Sequence, residues 1–76
     1  MRVVVAKTHE NLFDGEADSV TLPTAAGEVT ILSHHEPLVS VLVPGIVTVR
    51  VGGSSQEFEV KDGVLEVSQN HATVLL

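Results

Sequence analysis

The residues best suited to chemistry lie together in "LSHHEPL", Leu32 to Leu38, where His34 and His35 are followed by Glu36 and Pro37. Imidazole and carboxylate groups bind divalent metals, and they also move protons in general acid–base catalysis. The spacing suits neither task. Consecutive residues of an extended segment point to opposite sides, so His34 and His35 cannot converge with Glu36 on one ion. The run also matches neither HExxH nor a paired Cys and His pattern. His9 and His71, the remaining histidines, stand far off in the chain. No bound metal is expected, and the cluster reads as a solvated loop. Ser33 and Ser40 are near in sequence, but neither sits in a GxSxG-type turn, so no catalytic residue is assigned.

Two other stretches invite a chemical reading. "GGSS" at Gly52–Ser55 lacks the GxxxxGK[ST] pattern and the following helix that a phosphate cradle requires, and it reads as a hairpin tip. Lys61, in the turn-like "EVKDGV", stands where a small acidic β domain of the lipoyl or biotinyl carrier type displays its modified lysine. Val60, however, occupies the preceding position, where those carriers place a specific acid or methionine.

The elements that hold these residues belong to a small chain. With 76 residues there is one domain, residues 1–76, near the lower size for a self-sufficient core. An apolar content of 43% against 18% charged residues marks a globular rather than a disordered sequence. There is no cysteine, which excludes a disulfide scaffold and a thiolate metal site and fits a reducing compartment. "MRVVVAK" is too brief for a signal peptide. No apolar run approaches the roughly 18 residues of a membrane span. Ten acids against four Lys and Arg give a formal net charge of -6, which argues against a nucleic-acid partner and favours partners with basic patches.

Apolar residues recur with period two and never hold helical spacing, so the chain is expected to be all-β, a small flattened barrel or sandwich of about eight to ten short strands. In "IVTVRV", Val47, Val49 and Val51 share one face. Strands are expected near Arg2–Ala6, Ser19–Leu22, Glu28–Leu32, Leu38–Leu42, Gly45–Val51, Gln56–Val60, Val64–Ser68 and Thr73–Leu76. Turns are expected at Asp14-Gly15, Pro44-Gly45, Gly52–Ser55 and Asp62-Gly63, with Gly45 in a left-handed position after Pro44. Asn70 suits a left-handed turn before the last strand. Val47, Val49, Phe58, Leu65, Val67 and Val74 are expected to form one core. Phe58→Ala is accordingly expected to cost ~3 kcal/mol or more, while Glu57, Glu59 and Glu66 line a wet face.

A longer pattern unites these pieces. "LFDGEA", "LPTAAGEVTIL", the series His35, Pro37, Leu38, then Leu42, Pro44 and Gly45, and finally "GVLEV", Asn70 and "TVL" keep one order over essentially the whole chain. In this the chain resembles the N-terminal β-sandwich of the epsilon subunit of F-type ATP synthases, the delta subunit of mitochondria. The resemblance implies a non-catalytic rotor subunit that docks on the gamma subunit and on the polar loops of the membrane c-ring. It implies a place on the cytoplasmic face of a bacterial membrane, held there through the complex. It also implies c-ring or partner contacts at Gly27, Glu28, His35, Glu36, Pro37 and Leu38. No cofactor is implied. The resemblance stops at Leu76, short of the two C-terminal helices of longer members, so neither an inhibitory arm nor a nucleotide site is expected in these residues. "LSHHEP" departs from the usual aromatic, proline and glycine before the histidine, and Glu36 adds a charge. Two other readings stay open: a carrier domain modified at Lys61, which the mass after exposure to a lipoyl or biotinyl ligase would reveal, and a generic β-sandwich interaction module.

Overall fold

A computed structural model describes residues 1–76. All regular structure is strand: β1 (Arg2–Lys7), β2 (Glu10–Glu16), β3 (Ser19–Thr24), β4 (Gly27–Leu32), β5 (Leu38–Leu42), β6 (Gly45–Val51), β7 (Ser54–Val60), β8 (Gly63–Ser68) and β9 (His71–Leu75). Hydrogen bonding follows the path β2-β1-β9-β8-β5-β3-β6-β7, with β4 on the other side of β3. Only one residue pair, Thr24 with Leu42, joins β5 to β3. At that point the curled sheet folds into two layers, β2-β1-β9-β8-β5 over β4-β3-β6-β7.

Both layers turn their β-branched and leucine residues toward a shared core. Val3, Val5, Leu65, Val67, Ala72 and Val74 come from the first, and Val20, Leu22, Ile31, Val47, Val49 and Val60 from the second. The expected core residues Val47, Val49, Leu65, Val67 and Val74 are all buried. Phe58 is only half-buried, packed against the edge of the cluster from an outermost strand, which lowers the cost expected for its truncation. Val51 does not share the burial of Val47 and Val49: it is 42% exposed, because β6 runs past the core before turning at Gly52. Glu57, Glu59 and Glu66 are exposed, as their alternation required.

The eight strands given a place are all present, and the ninth, within the expected count of eight to ten, is β2, for which no place was given. Asp14-Gly15, read as a turn, lies inside β2, where Asp14 pairs with Val4 and Gly15 with Val3. The true reversal is at Thr8-His9. A register shift between Val5 and Ala6 breaks the alternation on this hairpin, which leaves the adjacent Leu12 and Phe13 both half-buried and hides the period of two. An exposed Arg2–Asp14 ion pair spans the same two strands.

Gly45 is also used differently from the expectation. It is not among the residues with positive φ, and its need for glycine is one of space: a Cβ there would stand 2.9 Å from the Pro23 ring. Pro23 itself sits within β3. Its carbonyl accepts from the Val43 N–H at 3.0 Å, so its missing N–H faces the same side. On that side β6 pairs only as far as Thr21 and β5 joins only at Thr24, so the proline forfeits no ladder bond. The turn at Gln69-Asn70 is as expected, with both residues left-handed (φ 50° and 59°) between the paired ends Ser68 and His71. That geometry matches the right-handed twist of the flanking strands.

Candidate docking surfaces

The contact residues suggested by the resemblance fall on two loops. Gly27 and Glu28 open β4 directly after the Ala25-Ala26 reversal. Thr24 fixes that tip: its hydroxyl donates to the Gly27 carbonyl at 2.6 Å and accepts from the Ala26 N–H at 3.2 Å. Gly27 has φ 115°, a conformation that side-chain-bearing residues rarely adopt. Glu28 is exposed and forms no ion pair.

His35, Glu36 and Pro37 lie in the β4–β5 connection, all exposed, and Leu38 begins β5 half-buried against the core. The His35 ring Nδ1 donates to the Glu36 carbonyl at 2.8 Å. His34 takes a left-handed conformation, φ 62°, and its N–H donates to the Asn70 side-chain oxygen at 2.7 Å. Asn70 thus has a second task that its sequence did not disclose: it clips this loop to the β8–β9 turn. Asn70→Gly, which keeps the left-handed backbone, is expected to cost ~0.5–1.5 kcal/mol. It should also speed amide exchange at His34, and unchanged protection there would show that the clip does not hold in solution.

The structure does not bring the two loops together. Thr24 pairs with Gly27 at one end of the β3–β4 hairpin and Ser19 with Leu32 at the other. The length of β4, about 17–20 Å for a strand of this size, separates Gly27 and Glu28 from the residues after Leu32. They are two surfaces at opposite ends.

None of the chemical alternatives is assembled. No group of three or more His, Asp or Glu side chains converges on a point that could hold a metal. Ser33 Oγ accepts from the Met1 amino group at 3.5 Å, and Ser40 Oγ donates to the Val41 carbonyl at 3.5 Å; neither is bonded to a histidine. Lys61 lies not on a hairpin but on a crossing between layers, since β7 pairs with β6 while β8 pairs with β5 and β9.

One surface escaped the sequence reading. On the outer face of the first layer, Val41 pairs with Val64 and Val64 with Leu75, while Val39 lies two residues earlier on β5. These four are 62%, 40%, 53% and 70% exposed, in the order Val41, Val64, Leu75, Val39. A contiguous apolar patch of this kind is a mark of protein contact, unlike scattered exposed leucines. It runs directly on from the His35–Leu38 loop. The signal was present in "LVSVL", where apolar residues occupy both faces of one strand, as in strands covered on both sides.

Comparison with known proteins bears on what such surfaces serve. The family described as ATP synthase, delta/epsilon chain, beta-sandwich domain matches residues 1–76, the whole chain. The chain belongs to that family. Among its relatives, the ATP synthase epsilon chain of Rhodopseudomonas palustris (strain BisB5) is 46% identical over 63 residues, covering 83% of this chain and 47% of the relative. That of Janthinobacterium sp. (strain Marseille) is 44% identical over 77 residues, covering 99% of this chain and 55% of the relative. The chain therefore spans about half the length of the epsilon chains it matches. A chain of the Euglena gracilis mitochondrial ATP synthase, solved as an OSCP/F1/c-ring assembly, superposes with a TM-score of 0.89 at 25% identity, over 96% of this chain and 48% of its own length. A Tetrahymena thermophila central stalk/c-ring chain shares the fold, with a TM-score of 0.84 at 20% identity over 99% of this chain and 61% of its own. The match is to the beta-sandwich domain of the ATP synthase delta/epsilon chains, the part that this chain spans. The chain contains no helix long and apolar enough to cross a membrane.

Proposed function

We propose that this epsilon-type domain couples the gamma subunit to the c-ring in the rotor of an F-type ATP synthase, on the cytoplasmic face of a bacterial membrane, where proton or sodium flux turns the shaft. The observation that carries the reading is the exposed apolar row Val39, Val41, Val64 and Leu75, which runs on from the His35–Leu38 loop toward the Ala25–Gly27 tip, where the Ala25 N–H donates to the Val41 carbonyl at 3.2 Å, while loop and tip themselves lie at opposite ends of β4. A part that transmits torque between two neighbours needs two separated contact surfaces and a stiff body between them. Loop and tip, at opposite ends of β4, offer two such surfaces, and the two-layer sandwich is the body between them. In this arrangement the Gly27–Glu28 tip meets the polar loops of the ring, with Glu28 opposite a basic side chain. Gamma covers His35, Glu36, Pro37 and Leu38 together with the adjoining Val39 end of the apolar row.

The test reconstitutes rotor complexes from c-ring, gamma and this chain, and compares unaltered protein with Glu28→Lys and with Val39→Asp. Charge reversal at the tip should lower retention on the ring by roughly tenfold, about 1.4 kcal/mol. Ion-coupled ATP synthesis should fall with it, while circular dichroism is unchanged. Val39→Asp should instead weaken gamma binding. If both variants keep the fold, the ring, gamma and coupling, neither surface is a docking surface.

A further inference from the structure

β7 has one neighbour only, β6. In an antiparallel pair alternate residues direct their N–H and C=O groups away from the partner strand, so along β7 a row of donors and acceptors meets no other strand. Beside this edge lies a cleft of about 760 Å³ between β7 and the β1–β2 reversal. Its apolar lining is Leu12, Phe58 and Leu76, all partly buried against the core. Around it stand Lys7 and Lys61 against Glu10, Glu57, Glu59 and Asp62, so acids outnumber lysines, and Glu57 and Glu59 are the two on β7 itself. Both are exposed, they flank Phe58, and they pair across the sheet with Thr48 and Ile46, neither of which is basic. Neither glutamate takes part in an ion pair.

We propose that the β7 edge binds an extended peptide segment of a partner in which basic and apolar residues alternate. The segment adds a strand to β7 through its main chain. Its apolar side chain covers Phe58, and the basic residues on either side lie opposite Glu57 and Glu59. The side-chain period of two makes these assignments inseparable: if the residue opposite Phe58 points inward, its neighbours must point outward beside the glutamates. A second copy of this chain is a poor occupant. Antiparallel pairing of β7 with itself about Phe58 would set Glu57 against Glu59 twice over, and like charges directly opposite each other repel. The same charges therefore discourage self-association and select a cationic strand. This surface is distinct from the tip, the loop and the apolar row described above, and its occupation does not depend on the rotor reading.

The probe is a blocked pentapeptide, Lys-Val-Lys-Val-Lys, titrated to millimolar concentration into the isotopically labelled 76-residue chain. Amide shifts should concentrate in Ser54–Val60, and cross-strand contacts to Phe58 should appear. The double variant Glu57→Lys, Glu59→Lys, checked by circular dichroism, should bind at least tenfold more weakly. The same loss is expected for a peptide N-methylated at the amides that would face β7, and for a Glu-Val-Glu-Val-Glu analogue. The proposal is overturned if no binding is detected, if the shifts lie elsewhere, or if the N-methylated peptide binds as well as its parent, because attraction would then be purely electrostatic. It is equally overturned if Glu57→Gln, Glu59→Gln merely dimerises while the unaltered chain ignores the peptide, for the charges would then serve only to protect the edge.

Discussion

Leu65→Ala should leave the domain at or beyond the limit of folding. Leu65 is fully buried, pairs with Val74 on β9 and Ser40 on β5, and belongs to the shared core. Emptying such a site costs ~2.7–5 kcal/mol, through lost transfer energy and the cavity left behind. A domain of this size has a total stability of roughly 4–11 kcal/mol, at ~0.05–0.15 kcal/mol per residue. Phe58→Ala should cost less, under ~2 kcal/mol, because only part of the ring leaves water on folding. Urea unfolding of the two variants beside the unaltered chain gives the comparison. An unchanged midpoint for Leu65→Ala, or a larger loss for Phe58→Ala, would contradict the core described above.

Gly63→Ala is expected to be similarly damaging, for a different reason. A Cβ at position 63 would collide with the main-chain carbonyl of Leu75 on the neighbouring strand. The obstacle is backbone that already takes part in the β8–β9 ladder, where Val64 pairs with Leu75, and it cannot step aside as a flexible side chain would. Ordinary overpacking costs ~1–3 kcal/mol, and this substitution should reach or exceed the top of that range. Gly27→Ala offers the contrast. No atom lies within 4 Å of a Cβ placed there, so only its φ of 115° opposes the change. The thermal midpoint should fall much further for Gly63→Ala than for Gly27→Ala. Equal effects would mean that backbone conformation, not close approach, is what requires glycine at position 63.

Much of the architecture could be read from the chain because its strongest signals were local. β6, β8 and β9 alternate cleanly through Val47 and Val49, Leu65 and Val67, and Ala72 and Val74, and the Gln69-Asn70 turn has the residue type its left-handed backbone needs. β2 was hidden because the Val5/Ala6 register shift removes its alternation, while Asp14-Gly15 imitates a turn that strand pairing overrides. The proposed contact residues could be named from the chain, but their arrangement could not. Glu28 and His35 are close in sequence, yet β4 lies between them, and a strand converts short sequence separation into long distance. The apolar row needs the register of β5, β8 and β9 together, which no single segment carries. Asn70 gives no sequence sign of the loop it clips, because its partner His34 is 36 positions away.

The claim that two ends of this domain meet two different partners is tested most directly by photo-cross-linking within an assembled rotor. A photoreactive phenylalanine analogue placed at position 28 in one preparation and at position 35, beyond the far end of β4, in another would be irradiated, and the adducts identified by mass spectrometry. The expected result is c-ring adducts from position 28 and gamma adducts from position 35, each excluding the other. Both positions cross-linking to the same subunit, or neither cross-linking to any subunit while the chain stays bound, would contradict it.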